Sequence, residues 1–338
     1  MKVAILGLGH IGGSLAKALF CRNVEICCYD SNRDTVARAV DSGLSCVYDI
    51  SDAIVEADLI VLAVPTTSVL SVLKEVLGRL KIQGTVGRKV VISDVSSTKS
   101  ELMDRVFESV KNASSQVLEV EYLSLHPMAG KEGSGFDSSV KELLLASTWA
   151  ILLERDPSSY AVSLVMKVIG SLDGRALFVD RNTHDEAVGL ISHIPHLLSF
   201  AYTQLVQTSA IRDIALPLRA GSFRDLTRVA NTDPDKVAAM VVPNRSSLVA
   251  LIDDFMDILK TMRSSIDSQD RFLEFASPLS NFLMVHGGVS ETYVEKTLTV
   301  HGDNLNSALL QLSKEGGLVD SIAKVLDQDI FEISFSVK

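Results

Sequence analysis

Positive charge is in short supply. Thirty-two lysines and arginines stand against forty-two acidic residues, a formal charge of −10, and a field of that sign repels phosphate polymers and anionic lipid. Nucleic acid and membrane surfaces are therefore not expected partners. Long apolar runs are missing as well: none exceeds six residues, as in Leu59 to Val64, far short of the ~20 that span a bilayer. The first twenty residues are apolar, but they carry glycines and Lys17 with no small-residue cleavage site after them, so they read as folded structure. The four cysteines, Cys21, Cys27, Cys28 and Cys46, lack the spacing of a metal site or a disulfide framework, which fits a reduced, cytoplasmic chain. Internal repeats and low-complexity tracts are absent. What remains is a chain of 338 residues, 47% hydrophobic but only 6% aromatic, too apolar for disorder and long enough for about two domains.

Residues 1–180 alternate short β-branched apolar runs with stretches of helical periodicity, the pattern of a parallel sheet covered on both faces. Strands are expected at Lys2–Leu6, Val24–Tyr29, Leu59–Val64, Lys89–Ser93, Tyr122–Leu125, Trp149–Leu153 and Ala176–Val179, with helices such as Asp34–Ser42 and Ser68–Leu80 between them. The fold class is α/β, a Rossmann-type doubly wound parallel sheet. Over residues 181–270 the patterns at Thr183–Ala210 and Asn244–Ile266 are long and helical, so an all-helical domain is expected to follow. Its Leu190, Ile194, Leu197, Leu198, Ala201 and Leu205 form a stripe wide enough to face a second subunit, which points to a homodimer through this domain. Residues 271–338 read as a small α+β appendage, with strands at Thr297–Val300 and Ile330–Val337 flanking a helix over Leu305–Leu326.

The run Gly7-Leu8-Gly9-His10-Ile11-Gly12 follows the first strand and opens a helix, the context that gives this glycine spacing meaning. Gly7 permits the tight turn, Gly9 lets backbone approach a pyrophosphate, and Gly12 lets helix and strand pack closely, while exposed N–H groups and the helix dipole attract the anion. Asp30 lies at the end of the second strand, where its carboxylate can accept the ribose hydroxyls and repel a 2′-phosphate, so NAD is expected over NADP. The structural alternative makes the glycines a bare turn and Asp30 a helix cap. Val64 and Pro65, at the carboxyl edge of the strand beginning at Leu59, should border the same crevice.

His126 stands at the end of a strand that Pro127 stops, which places an imidazole with an ordinary pKa of about 6.5 in position to take a proton. A satisfied structural histidine is the alternative. Ser97, in Asp94-Val-Ser-Ser-Thr-Lys99, is either a site hydroxyl or the N-cap of the next helix. His193 and His196 share a helix face with Pro195 between them. Zinc ligation by this pair lacks a third ligand at convincing spacing, so no metal is expected.

Together with Gly221-Ser-Phe-Arg-Asp-Leu-Thr-Arg-Val-Ala230, these segments resemble the prephenate and arogenate dehydrogenase family, in the correct order from the glycine loop to about Asn244. The resemblance implies NAD-dependent oxidative decarboxylation of prephenate on the route to tyrosine, or the matching reaction of arogenate. It implies that His126 takes the proton of the ring hydroxyl and that Ser97 hydrogen-bonds the same oxygen. It makes Arg228 and His196 substrate contacts and has His193 shape the pocket; Asp225, three residues before Arg228, can pair with it when the pocket is empty, and the resemblance adds Glu132 to this gate, a surface ion pair being the alternative. Two positions depart from the family pattern: Ser96 replaces the usual glycine before Ser97, and Lys236 and Val237 follow Asp233-Pro234 where an aromatic residue is common. The β-hydroxyacid dehydrogenases, which use a Lys and an Asn on the first long helix of the second domain, are disfavoured because Thr183–Ala210 contains neither. A non-catalytic NAD sensor would keep Gly7, Gly9, Gly12 and Asp30 but have no need of His126, Ser97, His196 and Arg228 together.

Overall fold

Alternation along the first strands divides the core in two. The computed structural model describes residues 1–83, 88–114, 118–130, 133–286, 293–325 and 328–337. In it β1 (Lys2–Leu6), β2 (Glu25–Tyr29), β3 (Leu59–Leu62), β4 (Arg88–Asp94) and β5 (Leu118–Tyr122) form a parallel sheet in the order β2-β1-β3-β4-β5. Val3 and Ile5 turn to one face with Leu59 and Val61, and Ala4 and Leu6 turn to the other with Ile60 and Leu62. Both faces are covered, which is why these central strands read as continuous aliphatic runs. The covering helices are α1 (His10–Cys21), α2 (Arg33–Asp41), α3 (Ile50–Ile54), α4 (Thr66–Gln83) and α5 (Ser100–Ala113). The order reverses between β1 and β3, the crevice where an open α/β sheet binds ligands.

The expected strand Tyr122–Leu125 is two strands. Tyr122 ends β5, and after Leu123-Ser124 the chain enters a second sheet as β6 (Leu125–Pro127), antiparallel to β7 (Thr148–Leu152). The Ser124 carbonyl accepts from Leu152 N–H while Leu123 N–H still donates to Ile92, so the switch between sheets occurs within two residues. Helix α6 (Ser159–Ser171) carries the chain from β7 to its parallel neighbour β8 (Arg175–Val179).

Helices follow: α7 (Arg181–Val188), α8 (Ile194–Thr208), α9 (Arg212–Ala215), α10 (Gly221–Thr227), α11 (Pro234–Val241), α12 (Arg245–Ser265) and α13 (Gln269–His286). The chain then forms β9 (Val294–His301), α14 (Leu305–Lys314), β10 (Leu318–Lys324) and β11 (Ile330–Val337), and the second sheet runs β6-β7-β8-β10-β11-β9. The helix expected over Leu305–Leu326 therefore stops early. Gly316 adopts φ +80°, and a side chain on Gly317 would lie 2.9 Å from the Leu312 carbonyl oxygen, so the helix ends there and Leu318–Lys324 becomes a strand between β8 and β11. By compactness the chain forms two units, residues 1–184 with 294–337, and residues 185–293.

Candidate active site

The glycine loop separates two reasons for glycine. Gly7 has φ +98°, and a Cβ there would meet the Ala63 carbonyl oxygen at 2.5 Å; one on Gly12 would meet the Gly7 carbonyl oxygen at 2.0 Å. Both are demanded by the protein itself. A Cβ on Gly9 would meet nothing within 4 Å, although Gly9 occupies the N-cap of α1 with no side chain capping that helix. The packing of the chain gives no reason for Gly9 to be glycine, whereas close approach of a pyrophosphate does. Asp30 accepts from Leu8 N–H at 2.7 Å and from Asn32 N–H at 2.8 Å, one bond per carboxylate oxygen, leaving a lone pair on each for a ribose hydroxyl. It does not cap α2: Asn32 does, accepting from Asp34 and Thr35. His10 bonds Ser138 Oγ through Nδ1 at 2.9 Å, Ile11 packs against the core, and Val64 and Pro65 lie between β3 and α4, with Val64 beside Gly7. These residues fit a dinucleotide.

At the end of β4, Asp94 is buried and receives five donors: Ser96 N–H, Ser96 Oγ, Lys99 Nζ at 2.7 Å, Tyr122 OH at 2.6 Å and Ser124 Oγ. Burial pushes its carboxyl upward, but Lys99 and the hydroxyl donors overcome this and hold it at about 2. Burial and the neighbouring Asp94 charge push the Tyr122 phenol well above its ordinary range, so it remains a donor. Ser96 thus has a partner in Asp94. Lys99 also donates to the Leu125 carbonyl at 2.7 Å. Ser97 is half-buried, and the N-cap position of α5 belongs to Lys99, so Ser97 does not cap that helix.

His126 sits in the middle of β6, opposite Ala150, rather than beyond the end of a strand. Its Nδ1 lies 2.9 Å from Nε2 of His184, and the rings meet edge to face with centroids 5.1 Å apart. His184 is only 2% exposed. One ring donates and the other accepts, and if His126 gives its Nδ1 proton, its Nε2 carries the lone pair of a base. The sequence reading did not single out His184, Asp94 or Lys99 as site residues; Asp94 and Lys99 bracket Ser97 in the quoted run, while nothing local marks His184.

In the second unit, residues Gly189–His193 form a π turn running into α8, whose second residue is Pro195. Proline supplies no N–H to the helical ladder, and the wider turn accommodates it. His193 is buried, its Nδ1 3.1 Å from Asn244 Nδ2, which also donates to the Asp185 carbonyl at 2.7 Å. His196 donates from Nδ1 to the Val229 carbonyl at 3.1 Å, so its Nε2 carries the lone pair. Arg228 is exposed at the start of a short 3-10 segment, and among the described residues it forms no ion pair with Asp225, also exposed. The expected pairing is absent because two solvated side chains gain little from it. Glu132 lies outside the described residues. Among the described residues no group of three or more His, Cys, Asp or Glu side chains is arranged to hold a metal, and no helix is long and apolar enough to cross a membrane.

Comparison with known proteins covers most of the chain. The family model described as prephenate dehydrogenase, nucleotide-binding domain, matches residues 13–177, and the model described as prephenate dehydrogenase, dimerization domain, matches residues 180–279. The cyclohexadienyl dehydrogenase of Zymomonas mobilis is 30% identical over 275 residues, 79% of this chain and 89% of that one. A Corynebacterium glutamicum structure, provisionally described as a prephenate dehydrogenase, superposes with a TM-score of 0.77 at 27% identity, covering 94% of this chain and 97% of that one. The prephenate dehydrogenase of Aquifex aeolicus, solved with hydroxyphenyl propionate and NAD+, shares the fold with a TM-score of 0.71 at 23% identity, over 84% of this chain and 98% of that one.

Proposed function

This chain belongs to the prephenate dehydrogenase family and is an NAD-dependent oxidoreductase, and from that premise we propose that it converts prephenate to 4-hydroxyphenylpyruvate by oxidative decarboxylation. When bound, NAD supplies the acceptor for the hydride lost by the hydroxyl-bearing ring carbon. Gly7, Gly9, His10, Ile11 and Gly12 with Asp30 hold that cofactor, bordered by Val64 and Pro65. His126 Nε2 takes the hydroxyl proton. Its removal leaves negative charge on the oxygen, which makes the attached carbon a better hydride donor, and loss of the ring carboxylate as CO2 then completes the aromatic ring. Ser97 hydrogen-bonds the same oxygen and orients it toward the imidazole.

Arg228, with His196 beside it in the helical unit, grips the substrate's carboxylates; a guanidinium fork does this with two parallel bonds in an otherwise acidic molecule. His193 shapes that wall. Exposed Leu205, Val249, Ile258, Leu273, Leu279 and Leu283 support homodimer formation through the helical unit. A reduced cytoplasmic setting suits the four free thiols.

The observation that carries this reading is the His126–His184 contact, because a buried second ring orients the first, and when His126 donates its Nδ1 proton to that ring its Nε2 is left as the base. The test is a spectrophotometric assay with prephenate and with arogenate, each with NAD and NADP. Prephenate and NAD should give NADH and 4-hydroxyphenylpyruvate in equal amounts, with the rate falling on acidification. His126→Asn should lower kcat about 10³-fold with NAD affinity kept; a loss under tenfold removes His126 from the chemistry. Arg228→Ala should raise KM for prephenate far more than it lowers kcat, and an unchanged KM excludes it from the site.

A further inference from the structure

The proposed reaction needs a hydroxyl from the loop after β4 and an imidazole from β6 to be held at a fixed separation. β6 is three residues long and, among the described residues, pairs only with β7, so its own ladder gives it little rigidity. Lys99 links the two segments. It lies two residues after Ser97, and its ammonium binds Asp94 at 2.7 Å, Ser96 Oγ at 3.3 Å and, at 2.7 Å, the carbonyl of Leu125, the residue before His126. Both Asp94 and Lys99 are 1% exposed.

We propose that Asp94 and Lys99 are positioning residues for the dehydrogenase reaction, a buried ionic clasp that holds the Ser97 hydroxyl and the His126 imidazole in one geometry. This rests on the assignment of Ser97 and His126 above. Stability alone is a weak reason for such a pair, because desolvating two charges offsets most of their attraction, and apolar replacements often fold as well. Direction is what the pair adds. Asp94 is fixed by Tyr122 and Ser124 from the end of β5 and the residues after it, so the ammonium has a set origin from which to reach the Leu125 carbonyl. A shift of about 1 Å between catalytic groups is enough to cost roughly 100-fold in rate.

The test uses the full chain carrying Asp94→Asn with Lys99→Met, which removes both charges together and leaves neither one buried alone. The expected result is a kcat about 100-fold lower, with NAD affinity, read by fluorescence titration, and the thermal midpoint close to the parent's. In a Ser97→Ala background the same pair of substitutions should lower kcat by clearly less than about 100-fold, because only the His126 side of the clasp is left to position. A kcat within threefold of the parent, or losses that multiply fully with Ser97→Ala, overturns the proposal. Should the double variant not fold, Lys99→Arg decides: a kcat at least tenfold lower at unchanged NAD affinity supports the clasp, and an unchanged kcat overturns it. If Ser97→Ala and His126→Asn each leave kcat intact, it is the underlying assignment that fails.

Discussion

A carboxylate can remain charged away from water only if donors replace the water, and Asp94 has Lys99, Tyr122, Ser96 and Ser124 to do so. Its carboxyl is held at about 2 against an ordinary 3.8, so the stabilisation it gives the fold is complete above pH ~4 and is lost as pH falls toward 2. Urea titrations at pH 4, 3 and 2 should show about 2 kcal/mol of acid-induced loss that is missing from the Asp94→Asn, Lys99→Met variant. Equal slopes for the two proteins would count against the ion pair. The sequence offers Asp94 and Lys99 as two polar residues of a loop, and their burial is not legible because Tyr122, Ser124 and the Leu125 carbonyl come from further along the chain. His184 is hidden for the same reason, since its partner is 58 residues away and no spacing rule connects a β-strand histidine to one on α7. The place of Asp30, just after β2 and bonded to the glycine loop through Leu8 N–H, was legible because its strand, its loop and its distance from the glycines are all local.

At the scale of the element, the mouth of α1 holds two glycines that substitution should tell apart. Gly12→Ala drives a methyl group into the Gly7 carbonyl and should destabilise the protein by about 3 kcal/mol or prevent folding. Gly9→Ala meets open space and should melt with the parent while weakening NAD binding at least tenfold, measured by titration calorimetry. Equal NAD affinity in a folded Gly9→Ala protein would remove the pyrophosphate from this loop. Helices and strands of the first unit were readable because periodicity of 3.6 and of 2 are local signals. The π turn before Pro195 is not legible in the sequence, since proline announces a lost hydrogen bond without saying how the backbone adjusts. The end of α14 was missed although Gly316-Gly317 stood in the sequence, because the apolar residues beyond it fit a helix as well as a strand until β8 and β11 supply their pairing.

Across the whole molecule, the α/β plan followed by helices was legible from alternating composition, whereas the second sheet was not. Its strands come from residues 125–179 and 294–337, and a pairing such as Val319 with Ala176 leaves no trace in either segment alone. Deleting residues 294–338 should uncover the edge of β8 and the Phe178 N–H now bonded to Ser313, lowering the melting temperature and causing aggregation visible by light scattering. A monodisperse truncated protein melting with the parent would show that the later strands contribute nothing to the first unit. The same strand order has a consequence for synthesis. All five strands of the parallel sheet are complete by Tyr122, so on the ribosome that sheet can close early, while β8 must wait until β10 leaves the exit tunnel. During that interval an unpaired edge faces other nascent chains, and yield on overexpression should depend on temperature and chaperone supply more than the finished enzyme's stability suggests.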